Sequence, residues 1–160
     1  MLVVSDTSPI RALAHLDLLA LLPQLYRDVV IPPGVLRELQ FPAREYMRVD
    51  PELLRPIRIV APEDAIRVTE FGEELDPGES EAIALALELH ADAVLIDERK
   101  GRTLAHEFGL TVIGTLGVLR QAKLAGLIDR VRPHVERIVV ELRFFLDQKF
   151  AEHFLKQIGE

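Results

Sequence analysis

The 160-residue chain contains no cysteine, which excludes a disulfide framework and any thiolate metal site. It also lacks long apolar runs. Its longest stretches fall far short of the ~18 residues a membrane span requires, so no span is predicted. Met1-Leu2-Val3-Val4 runs straight on to an acid, Asp6, with no basic leader, so a signal peptide is not expected and a cytoplasmic location follows by elimination. Positive charge is in deficit. With 19 Lys and Arg against 26 Asp and Glu the net charge is −7. That balance argues against a general nucleic-acid coat, but not against an enzyme that gathers carboxylates around cations and meets nucleic acid locally. There is no Gly-rich phosphate loop and no Gly-x-Ser-x-Gly to support a Ser-His-Asp triad. The histidines, at 15, 90, 106, 134 and 153, form no ligand-spaced pair, and none is assigned a catalytic role.

What is present suits one globular domain: 49% hydrophobic and 28% charged residues, in a chain long enough to bury roughly two thirds of its unfolded surface. Leu2-Val3-Val4 is a wholly apolar, β-branched run of the kind buried on both faces of a parallel sheet. It ends at Asp6, and Thr7-Ser8-Pro9 opens a helix continuing to His15. A second short helix is expected over Leu16–Leu22, stopped near Pro23. Strands follow at Asp28–Ile31, Ile57–Val60 (a third strand or an edge), Ala93–Ile96 and Leu110–Ile113. Helices are expected over Gly34–Gln40, Glu63–Glu74, Glu79–His90, Glu98–Phe108 and from Thr115 to Leu124. Between Phe41 and Pro56, Pro42, Pro51 and Pro56 break the chain into short pieces. Strands alternating with helices mean βαβ units, hence an α/β fold with a parallel sheet covered on both faces. Residues 129–160 add further helix beyond residues 1–128. Val131, Val135, Ile138, Val139, Leu142 and Phe145 form one apolar stripe, and Phe150, Phe154, Leu155 and Ile158 a second. Both read as packing faces, against the domain or against a partner.

Two strands end in the same way, at Asp6 and at Asp97. In a parallel sheet both ends lie on one edge, where ligands of open α/β sheets bind. Two carboxylates close together need a proton or a cation between them, and all-oxygen ligands suit a hard ion such as Mg²⁺ or Mn²⁺. The plain alternative for either residue is a helix N-cap. Glu38 and Glu81 are the next candidates, although spacing alone promotes neither. Acids in a first helical turn also serve the helix dipole, and Glu79 suits that part better. Thr7, Ser8 and Thr115 offer hydroxyls that can steady a carboxylate or cap a helix. Arg99, Lys100 and Arg102 place three cations just past Asp97, where phosphate contacts would be needed; a solvated face is the alternative. Arg11, Arg120 and Lys123 open or line other helices.

These motifs resemble those of the PIN-domain nucleases, which include the VapC-type toxins of toxin–antitoxin pairs. The resemblance lies in Val-Val-Ser-Asp6-Thr7-Ser8, Pro32-Pro33-Gly34-Val35-Leu36-Arg37-Glu38-Leu39, Leu75-Asp76-Pro77-Gly78-Glu79-Ser80-Glu81-Ala82-Ile83, Val94-Leu95-Ile96-Asp97-Glu98-Arg99 and Ile113-Gly114-Thr115-Leu116-Gly117. In order, they cover residues 1 to about 125. The resemblance implies an α/β/α sandwich with a four- to five-stranded parallel sheet. It also implies a metal-dependent ribonuclease whose acids are Asp6, Glu38, Glu81 and Asp97. Asp6 and Asp97 would bind one Mg²⁺ or Mn²⁺ directly, Glu38 and Glu81 directly or through water, and a second ion would arrive with substrate. Members often carry Asp where this chain has Glu81, which leaves Glu79 and Glu81 both open as the third acid, with Glu98 as a further outer ligand. RNA would be the substrate, positioned by Arg99, Lys100 and Arg102. An antitoxin and a homodimer are inherited expectations. Two other classes stand beside this one: a phosphoryl-transfer or phospho-acceptor domain using Asp6, and a non-catalytic binding module on the same fold.

Overall fold

The computed structural model describes residues 1–144 and 146–160. Five parallel strands form one sheet: β1 (Leu2–Ser5), β2 (Asp28–Ile31), β3 (Arg58–Ile59), β4 (Ala93–Leu95) and β5 (Val112–Ile113), in the order β3-β2-β1-β4-β5. Alternation explains why these short runs are so apolar. Val3, Val29, Ile31, Ala93 and Leu95 point into one core, whereas Val4, Val30, Val94 and Ile96 point into another on the opposite face. In the inner strands β1, β2 and β4, with neither face wet, β-branched and aliphatic residues are favoured; the edge strand β3 is exposed.

The first core is covered by α1 (Thr7–His15), α2 (Leu21–Leu25), α3 (Pro33–Gln40), α7 (Thr115–Leu124), α8 (Arg132–Glu141) and α9 (Gln148–Gln157). The second is covered by α4 (Ala65–Phe71), α5 (Pro77–Glu88) and α6 (Arg99–Glu107). The fold is therefore a three-layer α/β/α sandwich of the PIN-like type. Val131, Val135, Ile138, Phe154 and Leu155 are buried in the first core beside Ile10, Leu13 and Leu119. Val139 and Phe150, from the same two stripes, face outward; Phe145 lies outside the described residues.

Several boundaries depart from those read off the sequence. The second helix starts at Leu21 rather than Leu16. Asp17 takes a left-handed turn at φ +58, and Pro23 is accommodated in the first turn, where its missing N–H costs nothing. The α5 helix begins two residues early, because Asp76 caps it by accepting from the Glu79 amide at 2.8 Å and Pro77 fits its first position. It also closes early, as His90 takes φ +50. The 41–56 stretch holds two short 3-10 turns, Glu45–Met47 and Pro51–Leu54. No helix among the described residues is long and apolar enough to cross a membrane.

Candidate metal centre

The sheet order places β1 directly beside β4, with Ser5 opposite Leu95, and the Asp6 amide donates to the Leu95 carbonyl at 2.9 Å. Asp6 and Asp97 therefore leave adjacent strands on the same edge. Asp6 occupies the N-cap position of α1, yet its side chain makes no capping bond. It is 2% exposed, and its Oδ1 has no protein partner. Burial drives its pKa well above the usual carboxylate range, and the charges of Asp76, Glu38 and Glu98 push the same way against the Thr7 amide.

The end of α3 and the starts of α5 and α6 bring further acids to this point. Glu38, on α3, accepts from the Thr7 hydroxyl and from the Gly78 amide at 3.1 Å. Burial raises its pKa and the Thr7 bond partly offsets this. Asp76 caps α5 and leaves an oxygen to the cleft. Glu79, in the first turn of α5, is 2% exposed with Oε2 unpartnered. Burial, then its hydrogen bond to Glu98, then the charge of Asp6, push Glu79 up to about 9. Room for its carboxylate comes from Gly101 on α6, where a Cβ would stand 2.6 Å from Oε2. Ligand oxygens of Asp6, Glu38 and Asp76 lie within 4.8 Å of one another, as do those of Asp76, Glu79 and Glu98. Asp76 is common to both groups.

Asp97 and Glu81 are placed differently. Both Asp97 oxygens are engaged by Thr115, by its amide at 2.7 Å and its hydroxyl at 2.6 Å. Burial raises the Asp97 pKa against these bonds. Glu81 accepts from the Gly34 amide at 2.6 Å and faces Arg37 at 3.6 Å. Neither is among the acids whose oxygens lie that close together; the Asp97 oxygens face the start of α7, and Glu81 faces the start of α3. Ser8 and Glu98 line both a cleft of about 270 Å³ over the acids and an adjoining groove of about 1230 Å³. Arg99 and Lys100 are exposed along that groove, whereas the Arg102 guanidinium donates to the Ile96 carbonyl at 2.9 Å.

Two residues of the cleft escape a reading of strand ends. Asp76 looks like turn punctuation before Pro77-Gly78, although Asp76-x-x-Glu79 has capping-box spacing and that signal would have placed it at a helix start. Arg11 looks like a surface helix residue. Instead it lines the acidic cleft, with Nη2 on the Glu38 carbonyl at 3.1 Å and Nε buried without a partner.

A set of oxygen-only donors, with two buried carboxylate oxygens left unsatisfied, fits a hard divalent cation. Among curated proteins nothing matches the chain. The family model DUF3368, a PIN domain, matches residues 2–160. A match running from β1 through α9, on a parallel sheet whose carboxyl edge gathers acids, establishes that the chain belongs to the PIN-domain family.

Proposed function

We propose that this protein is a Mg²⁺- or Mn²⁺-dependent ribonuclease that hydrolyses phosphodiester bonds in RNA. The observation that carries this reading is the pair Asp6 and Glu79: buried carboxylates, each with an oxygen that no protein group satisfies, inside a larger gathering of acids. A buried ionised carboxylate without a partner costs several kcal/mol, so it either holds a proton or meets a cation.

We assign cation contact to Asp6, Glu38, Asp76, Glu79 and Glu98. When bound, one or two divalent ions would supply Lewis-acid activation of water and neutralise charge on the phosphoryl oxygens. The Thr7 hydroxyl fixes the Glu38 carboxylate, and Thr115 fixes Asp97, so the acids are held before substrate arrives. Asp97 and Glu81 act as positioning residues for α7 and α3. Arg11, which lines the acidic cleft, is placed to meet a phosphate oxygen. Arg99 and Lys100 extend that positive charge along the groove. Residues 1–128 carry the catalytic domain, and 129–160 form a helical extension packed on it. Action as the toxin of a cytoplasmic toxin–antitoxin pair, with an antitoxin partner and a homodimer, extends the proposal on the strength of the family resemblance.

The test is Asp6→Asn. Cleavage of RNA should require Mg²⁺ or Mn²⁺, stop in excess chelator, and be lost in this variant, while circular dichroism and the melting curve show an intact fold. Isothermal titration with Mn²⁺ should show binding to the parent and its loss in the variant. Full cleavage by Asp6→Asn, or in chelator, overturns the assignment.

A further inference from the structure

The cleft over the acids has one apolar stretch in its lining. Among the described residues that line it, Phe41, Pro42 and Ala43 carry the only apolar side chains, and they are consecutive. They follow directly on α3, whose last turn also holds Glu38. The Phe41 amide donates to the Arg37 carbonyl at 2.8 Å. Pro42 keeps Phe41 out of the helical region, at φ −126 and ψ 62, so the chain turns away there. Its return is pinned where the Val49 amide donates to the Leu39 carbonyl at 3.0 Å. A single apolar side chain on a surface is ordinary, but this one does not stand alone. Phe41 is 74% exposed and Tyr46 64% exposed, and the exposed Arg44 and Arg48 alternate with them along the chain. The Arg48 guanidinium lies over the Phe41 ring, 5.9 Å from its centroid, and Glu45 holds that guanidinium at 3.1 Å. Arg44 donates to the Tyr46 hydroxyl at 3.2 Å.

We infer that Phe41 is the seat for one unpaired nucleobase, that of a nucleotide flanking the scissile phosphate. A phosphate that reaches the acids brings a sugar and a base with it. The base is flat and largely apolar on its faces, and carboxylates give it nothing to stack on. Phe41 offers a π face at the rim of the cleft, and stacking on such a ring is tolerant of base identity. A cation over the ring restrains its plane, while the exposure of the residue leaves room for a flat partner. Phe41 and Glu38 share one helix end, so a seated base holds its own phosphate at a fixed reach from the acids. Phe41 is thus a positioning residue. It also selects for unpaired strands, because a duplex keeps its bases stacked inside. This inference rests on the ribonuclease reading of the acids and assigns a role to a residue outside them.

The experiment reads contact and cleavage separately. A single-stranded RNA of about eight nucleotides carries one 5-iodouridine, moved through every position in turn. It is irradiated with the full chain in chelator and in Ca²⁺, and adducts are located by mass spectrometry of the digested protein. The expected result is an adduct on Phe41 from one position or two adjacent ones. Phe41→Leu keeps an apolar side chain without a π face. It should lose the adduct and raise KM for cleavage about five- to a hundredfold, with kcat changed less. Phe41→Tyr keeps the face and should restore both. Because the ring is mostly exposed, neither variant should shift the melting temperature; a packing role would lower it in Phe41→Leu and leave KM alone. Absence of an adduct on Phe41 at every position overturns the inference, as does a parent-like KM in Phe41→Leu. So does loss of a dimer in Phe41→Leu, by light scattering, with RNA affinity unchanged, which would give the ring to a second copy of the chain. An adduct on Phe41 without any divalent-dependent cleavage would keep the seat and remove the ribonuclease. Cleavage lost with Asp6→Asn, in a protein that forms no adduct, would do the reverse.

Discussion

Glu79 and Glu81 lie two positions apart on α5 and meet opposite environments. Glu79 turns inward to an orphaned, acid-crowded site, and Glu81 turns to the Gly34 amide and Arg37. Glu79→Gln should therefore abolish Mn²⁺ binding and cleavage, whereas Glu81→Gln should keep both within a few-fold and cost about 1 kcal/mol of stability through one weakened hydrogen bond. The stability of the cation-free protein should move in the other direction for Glu79. Its folded pKa, about 9, lies above the ordinary 4.5, so its contribution is complete below pH 4.5 and is lost as pH rises through 9. At pH 8 in chelator, Glu79→Gln should melt higher than the parent by an amount worth about 1–3 kcal/mol. Chemical denaturation at pH 5 and pH 8 checks this: the difference should be larger at pH 8. Of this site, the sequence made Asp6 legible through the abrupt end of an apolar strand. It could not order Glu79 against Glu81, because both share one helix and differ only by rotation about its axis. Asp76 was hidden because its carboxylate does two jobs, a cap and a member of both acid groups.

Two helices hold the acids by a reciprocal contact. Glu38 of α3 accepts from Gly78 at the start of α5, and Glu81 of α5 accepts from Gly34 at the start of α3. The helices thus run in opposite senses through the contact, each carboxylate filling the space above the other's glycine. A Cβ on Gly78 would stand 2.5 Å from Glu38 Oε2, and one on Gly34 would stand 2.7 Å from Glu81 Oε2. Gly78→Ala should displace Glu38 and weaken Mn²⁺ binding at least tenfold. Its stability should change by no more than about 1 kcal/mol, since a lost hydrogen bond is offset by better helix propensity. Gly34→Ala displaces Glu81 instead and should leave Mn²⁺ affinity within twofold; calorimetry on the pair distinguishes the two. At this scale the sequence was most readable. Strand and helix order followed from alternation of apolar runs with Pro-Gly punctuation. Helix starts were misplaced where proline occupies a first turn, as at Pro23 and Pro77, because there proline opens a helix rather than stopping one.

Across the whole molecule, the last helix packs on the core through Phe154 and Leu155, and one carboxylate adds a polar clasp at its end. Glu160 accepts from the Lys123 ammonium at 2.8 Å and from the Val131 and Arg132 amides at 2.7 and 3.1 Å, joining the ends of α7 and α9 to the start of α8. Burial opposes its charge, but these donors outweigh burial and hold its pKa at about 2. A depressed folded pKa gives stability that is present above pH 4.5 and lost as pH falls towards 2. Glu160→Gln should cost about 1–3 kcal/mol at pH 7, and the gap should close near pH 2, as followed by thermal melts across pH. With Glu79 acting from the alkaline side, the cation-free protein should be most stable at mildly acidic pH, and saturating Mn²⁺ should shift that optimum upward by favouring ionised carboxylates.

The position of β1 in the middle of the sheet also bears on how quickly the molecule assembles. Leu2 must find Asp28 on one side, and Val3 must find Ala93 on the other, so the central ladder closes only after distant segments meet. Pairings of such long sequence separation are slow to form and leave a bare strand edge while they wait. Refolding from denaturant should accordingly be slow and lose yield as protein concentration rises, and in native-state exchange the amides of Val3 and Val4 should be among the last to take up deuterium.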